Sequence, residues 1–318
     1  MIEARGLTRF FGANKVVDAV SFTVEKGEVL GFLGPNGAGK STTMRMLMGY
    51  LPANEGAAFI DGHDVAQNGL AARRKVGYLP ESAPVYPEMT VRHFLNFVAR
   101  VRGFSGARLQ SAVEKTLDRC FLEGVHHQTV GTLSKGYKQR VCFAQAILHD
   151  PPYLIMDEPT DGLDPNQKHE VRTMIRNMGR EKAIILSTHI LEEVEAVCTR
   201  AVIISKGRIV ADDTPEGLRA MSLLHGAVTI TVSGAEKTMA REILSRLNSS
   251  RKVDVLESTS AKDILRVYPA QGKTLNTASL VSALSGAAVT VEAIVTEQGR
   301  LDEVFREITN PGPSRIAA

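Results

Sequence analysis

The sequence predicts an α/β fold followed by a smaller α+β domain, and three observations carry that reading. Residues 34–41, GPNGAGKS, lie between a buried run, VLGFL, and a helical pattern. Residues 153–158, YLIMDE, deliver two adjacent carboxylates at the end of a second buried strand. Beyond residues 214–217, TPEG, the pattern changes to strand, helix, strand, strand, helix, strand. The first two features sit at strand C-terminal ends, the edge where open α/β sheets bind ligands.

GPNGAGKS fits the phosphate-cradling pattern G-x-x-x-x-G-K-[ST] in the strand–loop–helix setting that the pattern needs. Its glycines let the backbone bend so that successive N–H groups point at one anion, and the following helix N-terminus adds partial positive charge. Gly34, Pro35, Asn36, Gly37, Ala38 and Gly39, with Lys40, Ser41 and Thr42 opening the helix, are therefore candidate nucleotide-binding residues. Lys40 would bring a point charge to the β- and γ-phosphates, and Ser41 would place its hydroxyl on Mg²⁺. A Gly-rich turn that merely links strand to helix is the alternative, and the full motif in context disfavours it.

The 318 residues are enough for about two domains. A hydrophobic content of 43% and a charged content of 23% are ordinary for a soluble globular chain. The net charge of +3 is too small to argue by itself for nucleic acid or an anionic membrane surface. Cys120, Cys142 and Cys198 are scattered, with no C-x-x-C, so neither a disulfide framework nor a zinc site is indicated. Buried free thiols in a reducing compartment are the expectation. The first residues lack an apolar signal core, and no run of about eighteen apolar residues occurs. Any membrane role must come through a partner.

In chain order, residues 2–11 and 16–24 read as a hairpin-like β element. Phe11, near its tip, is either an edge aromatic or a flat ring that stacks on a nucleotide base. Met44 and Met48 share one face of the helix over residues 42–50 and read as core, not as a soft-metal site. Residues 56–62 form a strand and turn, with His63 in the polar turn. Residues 75–81 are a strand ending in a turn, where Glu81 is either a functional carboxylate or a solvated turn residue. From 90 to 149 the periodicity is helical, with Thr90 as an N-cap and a second helix over 109–120. His126 and His127, adjacent in a loop, are expected to point apart. LSKGYKQR, residues 133–140, leads a turn into a helix and is a further, weaker anion-site signal.

The run ending in Asp157 and Glu158 is stronger. Two acids beside a core strand are costly without a cation. Asp157 suits a Mg²⁺ ligand, directly or through water. Glu158 suits polarising an attacking water. DGLDP makes the next turn, a helix covers 166–179, and a buried strand over 182–186 leads to Ser187, Thr188 and His189. His189 is a candidate γ-phosphate contact. Residues 201–205 and 208–211 close the domain as two short strands.

Four separated blocks, GPNGAGKS, LSKGYKQR, YLIMDEPTDGLDP and STH, together resemble the ATPase subunit of ATP-binding cassette transporters over roughly residues 1–213. The resemblance implies a P-loop NTPase cassette with an N-terminal antiparallel β element and a helical insertion at about 85–150. It makes Phe11 the base-stacking aromatic and Glu81 the residue that senses Mg²⁺ and the permease. Leu133, Ser134, Lys135, Gly136 and Tyr137 become the signature, with Ser134 and Gly136 touching phosphate. Asp157 takes the place of the Mg²⁺-side acid, Glu158 that of the catalytic carboxylate, and residues 161–164 that of the dimer-communication loop. His189 becomes the switch histidine, so that Glu158, His189 and Lys40 carry catalysis and Ser41, Glu81 and Asp157 the metal.

Two departures from the family pattern stand out. Glu81 replaces the usual Gln, and the usual Gly-Gly-Gln of the signature reads Lys135, Gly136, Tyr137. The blocks GYLPE and YPEMT look closest to exporter subunits whose permease is a separate chain, the branch with drug-export, sodium-extrusion, copper-processing and gliding-motility systems.

Resemblance further implies a head-to-tail homodimer, or pseudo-symmetric pair, in which Ser134 and Gly136 of one copy complete the site built on Lys40 of the other, with ATP as the bridge. Cofactors are then ATP and Mg²⁺, the partner is a transmembrane permease and not nucleic acid, and the location is cytoplasmic on the inner face of the membrane. The alternatives are a soluble cassette ATPase of translation or DNA repair and an ATP-gated binding protein with negligible turnover. One phosphate loop and no sustained heptads argue against the first, and Glu158 against the second.

Domain boundaries follow at 1–215 and 216–310, with a loose tail at 311–318. In the second domain, strands at 227–232, 252–257, 264–268 and 288–295 and helices at 235–247 and 275–284 give a βαββαβ order, that of a ferredoxin-like sandwich. An amphipathic helix over 301–308 ends it. Dimer support or regulation is its expected role, with metabolite sensing the alternative.

Overall fold

Short apolar runs bounded by turns dictate strands buried on both faces, which is the environment of a parallel sheet covered by helices. The computed structural model describes residues 1–82, 84–234 and 237–310 and forms that sheet. Its six strands run in the order Arg208–Asp213, Arg200–Ser205, Val29–Leu33, Ala183–Thr188, Tyr153–Asp157, Val76–Leu79. All pairings are parallel except that of the first two strands. Register sets the site. Leu33 pairs with Thr188 and Asp157 with Ser187, so the phosphate loop, the two acids and the STH turn leave the sheet side by side.

A second, antiparallel sheet has the order Asn14–Val24, Ile2–Phe11, Glu55–Ile60, His63–Asp64. Its inner face packs on the helix Lys40–Leu47 and the parallel sheet through Phe22, Phe32, Met44, Leu47, Met48, Tyr153 and Ile185, all buried. Met44 and Met48 are thus core residues, and truncating one to alanine should cost about 2–5 kcal/mol. Burial pushes the Cys120 and Cys142 thiols up to about 12 and also raises Cys198, so the three free cysteines are inert.

The helical region holds Val91–Val101, Gly106–Arg119 and Lys135–Ile147. Thr90 caps the first by accepting from His93 N at 3.3 Å, and Ser134 caps the third from Tyr137 N at 3.4 Å. Asp164 caps Pro165–Gly179 through Gln167 N at 3.0 Å, with Pro165 opening that helix.

Some local expectations need correction. His63 is not in the polar turn but in a two-residue strand paired with Ile60, and the turn is Asp61 and Gly62. The rings of His126 and His127 do not point apart, since their centroids lie 3.7 Å from each other. The helices Gly69–Lys75, Leu191–Val197 and Pro215–Ala220 carry no periodic signal because each spans fewer than two full turns.

The chain divides after Pro215. The second unit, Glu216–Glu307, contains an antiparallel sheet in the order Ser250–Ser258, Lys262–Pro269, Val228–Ser233, Thr290–Thr296. Val228, Ile230, Val232, Leu265 and Val267 point to one face and pack with Leu244, Leu280 and Leu284. Leu244 lies on the helix Ala240–Ser245, and the two leucines lie on Thr277–Ser285. The start of the helix expected over 235–247 lies outside the described residues, as does the tail at 311–318. Among the described residues no helix is long and apolar enough to cross a membrane.

Candidate functional site

The strand Val29–Leu33 is wholly buried, and the chain leaves it into the loop before the helix Lys40–Leu47. Gly39 takes the N-cap position with φ +107°, and a Cβ there would fall 2.8 Å from the Val16 carbonyl. No other residue type satisfies both constraints. Lys40 folds back over the loop, where its ammonium donates to the Gly34 carbonyl at 2.8 Å and the Pro35 carbonyl at 3.3 Å. Asn36, Gly37, Gly39, Lys40, Ser41 and Thr42 line an open cleft of about 260 Å³, joined by Val16, Glu81 and Glu158.

The acids arrive from the neighbouring strand. Asp157 is 1% exposed, and its Oδ1 accepts from Ser41 Oγ at 3.2 Å and from Ser187 Oγ. Glu158 adopts a left-handed backbone, φ +51°, uncommon for a residue with a side chain. Two bonds from its N–H hold it there, to the Ser187 carbonyl at 3.1 Å and to Ser187 Oγ at 3.3 Å. The turn aims its carboxylate between two bases. Oε1 lies 3.5 Å from Lys40 Nζ, and Oε2 lies 2.8 Å from His189 Nδ1. Lys40, Asp157 and Glu158 are all buried, whereas the His189 side chain is 44% exposed at the rim.

Sequence reasoning passed over a support beneath His189. Thr188 Oγ1 accepts from Ile190 N at 3.0 Å and donates to Glu193 Oε2 at 2.7 Å. Glu193 is buried, and that burial raises its pKa, favouring the neutral acid that needs no counterion. Ser187 carries no motif of its own, yet the pairing of Asp157 with Ser187 places its hydroxyl between the two acids. Val16 was missed because a strand residue facing the loop carries no motif. A pairing diagram of the two strands would have located Ser187; nothing in the sequence marks Val16 or Glu193.

The remaining predicted residues fall outside the cleft. Phe11 is exposed, with the Arg9 guanidinium 5.0 Å from its ring centroid, and it does not line the cleft. Ser134 is exposed at the head of its helix and Gly136 is buried beneath Gln167, and neither lines the cleft. Ala38 is buried, and Gly34 and Pro35 act through their carbonyls on Lys40.

The donor chemistry bears on a metal. Among the described residues no three His, Cys, Asp or Glu side chains group to hold an ion. Mg²⁺ does not require such a cage, since it is commonly held by one or two carboxylates, waters and substrate phosphates. Ser41 and Asp157 converge as oxygen donors, and Glu81 stands on the same cleft. Two buried carboxylates against one buried ammonium leave excess negative charge, which a divalent cation offsets. The residues fit Mg²⁺.

Comparisons with known proteins agree with this geometry. The ABC transporter family model matches residues 17–161. The chain is 38% identical over 247 residues, 77% of its length, to the Nod factor export ATP-binding protein I of Paraburkholderia xenovorans (strain LB400), of which the match covers 81%. It is 39% identical over 218 residues to the protein of that name from Rhizobium sp. (strain N33), covering 68% of this chain and 72% of that one. Among solved structures, an ATP-binding subunit of an ABC transporter overlays with a TM-score of 0.64 at 34% identity, over 69% of this chain and 92% of the other. A dimeric bacterial ABC transporter cassette overlays at 0.62 with 22% identity, a likeness of fold, over 68% of this chain and 99% of the other. With its loop, acids and STH turn assembled on the cassette sheet, this chain belongs to the ABC transporter family.

Proposed function

We propose that this protein is the ATP-hydrolysing subunit of an exporter and drives a separate membrane permease by ATP-dependent pairing of two cassettes. The observation that carries the reading is the convergence of Lys40, Ser41, Asp157 and Glu158 at the phosphate loop, with His189 bound to Glu158. The name of the export relatives supports the direction of transport.

In this reading Lys40 and the loop N–H groups hold the β- and γ-phosphates, replacing part of the charge that Glu158 now supplies to Lys40. Ser41, Asp157 and Glu81 would hold Mg²⁺, which would polarise the phosphate oxygens when bound. Glu158 orients water and takes its proton as the water oxygen bonds the γ-phosphorus and the bond to the β–γ bridging oxygen breaks. His189 keeps Glu158 in place and contacts the γ-phosphate from the rim. Phe11 offers its exposed face to the base. Ser134 and Gly136, remote from their own cleft, serve the cleft of the second copy. The pair closes on ATP and parts after hydrolysis, because the bridging γ-phosphate exists in only one of the two states.

A cavity of about 890 Å³ offers the permease a docking surface. Exposed Tyr50, Phe97 and Val101 line it together with Arg73, Arg74, Arg102 and Arg108. Such an apolar groove with basic residues suits an amphipathic segment bearing acids. The protein thereby works at the cytoplasmic face of the membrane. We take residues 1–215 as the cassette, with the helical insertion at about 85–150, and residues 216–310 as a ferredoxin-like module supporting pairing or regulation. Truncation after Pro215 that left both pairing and regulation unchanged would remove that role.

The test is affinity purification of tagged Glu158→Gln protein from native membranes with ATP and Mg²⁺. Recovery of a polytopic membrane protein is the expected result. Recovery of ribosomes or DNA-repair proteins alone would contradict the transport reading.

A further inference from the structure

Lys135 stands where the family usually has glycine, and its side chain is not idle. A Cβ built on Gly162 would fall 1.9 Å from Lys135 Nζ and 2.5 Å from its Cε, so the lysine stem lies directly over that glycine. The ammonium reaches Asp161 Oδ2 at 3.2 Å. Two further contacts join the same parts of the chain. A Cβ on Gly136 would fall 2.1 Å from Gln167 Oε1, and Gln139 Nε2 donates to the Pro159 carbonyl at 3.1 Å. The head of the helix Lys135–Ile147 is therefore bound at three levels to residues 159–167, the segment that leaves Glu158.

We propose that Lys135 is a positioning residue whose ammonium straps the turn at Asp161 and Gly162 onto the signature turn, so that both meet a second copy of this chain as one preformed surface. The inference rests on the ATP-driven pairing proposed above. Gln139 fixes the buried end of the contact and Gln167 its middle, which leaves the exposed end to Lys135 and Asp161. With glycine at position 135 no side chain from that position would tie this end to Asp161. Ordering it beforehand lowers the conformational entropy lost when two surfaces meet. An exposed ion pair is a modest interaction, so the effect should be a few-fold. Both partners are solvent-exposed, so replacing them does not threaten the fold.

The test uses the full chain carrying Glu158→Gln, with ATP, and compares it with added Lys135→Glu, Asp161→Lys, both together, and Lys135→Arg. Pairing is measured by sedimentation, and ATP affinity by titration of a fluorescent nucleotide at concentrations where the chain is single. Each reversal should weaken pairing about three- to fivefold with ATP affinity unchanged, Lys135→Arg should hold it, and the double reversal should recover it. Pairing indifferent to both reversals, or a double reversal as weak as Lys135→Glu alone, overturns the strap. The second of these results would assign Lys135 to the partner's phosphates instead. A parent chain that never pairs with ATP overturns the pairing reading itself, and the inference falls with it.

Discussion

His189 Nδ1 lies 2.8 Å from Glu158 Oε2, while the other oxygen of the same carboxylate lies 3.5 Å from Lys40 Nζ. Glu158 is thus shared between a buried ammonium that also holds the phosphate loop closed and an imidazole at the rim. Its backbone is pinned in a left-handed turn by Ser187. A residue kept in that conformation against its own preference is over-determined by its surroundings. The pinning holds the carboxylate at the cleft mouth before any substrate arrives.

Replacing Lys40 by alanine should abolish useful nucleotide binding, raising the dissociation constant by roughly 10- to 100-fold or more. Fluorescent-nucleotide titration measures it. The variant should also unfold at lower temperature without ligand, because Glu158 loses its buried counter-charge. Wild-type affinity in this variant would contradict the role given to Lys40.

A His189→Ala variant should bind ATP with near wild-type affinity and lose about 100-fold in turnover. The side chain is half-exposed and touches the Glu158 carboxylate, not the loop, so the loss should fall on kcat and not on binding. Steady-state phosphate release together with nucleotide titration separates the two. An unchanged kcat would remove His189 from the mechanism.

Ser187→Ala removes a buried donor to Asp157 and an acceptor for the Glu158 N–H. The expected cost is about 1–3 kcal/mol of stability by denaturant titration. The same variant should need more Mg²⁺ for half-maximal turnover, since Asp157 loses the bond that orients it. A normal Mg²⁺ requirement would confine Ser187 to a structural role.

Burial, reinforced by the Arg102 charge, pushes the His149 imidazole down from 6.5 to about 4. In the unfolded chain this group binds a proton as pH falls through its ordinary value, while in the folded chain it stays neutral until about pH 4. The unfolded state therefore binds more protons between those values, and stability falls as pH falls through that window. The contribution is at most about 3 kcal/mol, lost in full below about pH 4. His149→Gln should flatten this part of the pH–stability curve measured by denaturant titration. An identical slope would show that His149 does not contribute.

Much of the site was legible because phosphate and carboxylate chemistry impose short, contiguous motifs. Lys40, Ser41, Asp157, Glu158 and His189 lie in such motifs, and strand register then brings them together. Ser187, Val16 and Glu193 were not legible as functional groups, because their roles arise only when strands and turns from distant parts of the chain pack. The same reason explains the fold. Long apolar runs such as Tyr153–Asp157 declared their strands, whereas Gly69–Lys75 and Leu191–Val197 are helical only because neighbouring elements hold them. Ser134 and Gly136 lie in a recognisable motif but stand away from the cleft built on Lys40.

ATP turnover and ATP retention by Glu158→Gln, measured beside the wild-type chain with Mg²⁺, decide whether Glu158 activates water. The amide keeps the shape of the side chain but cannot take a proton from water. Phosphate release should be about 100- to 10,000-fold slower, with ATP still bound and the chain held as a stable pair. Turnover equal to wild type would contradict that expectation, because Glu158 would then not be the group that activates water.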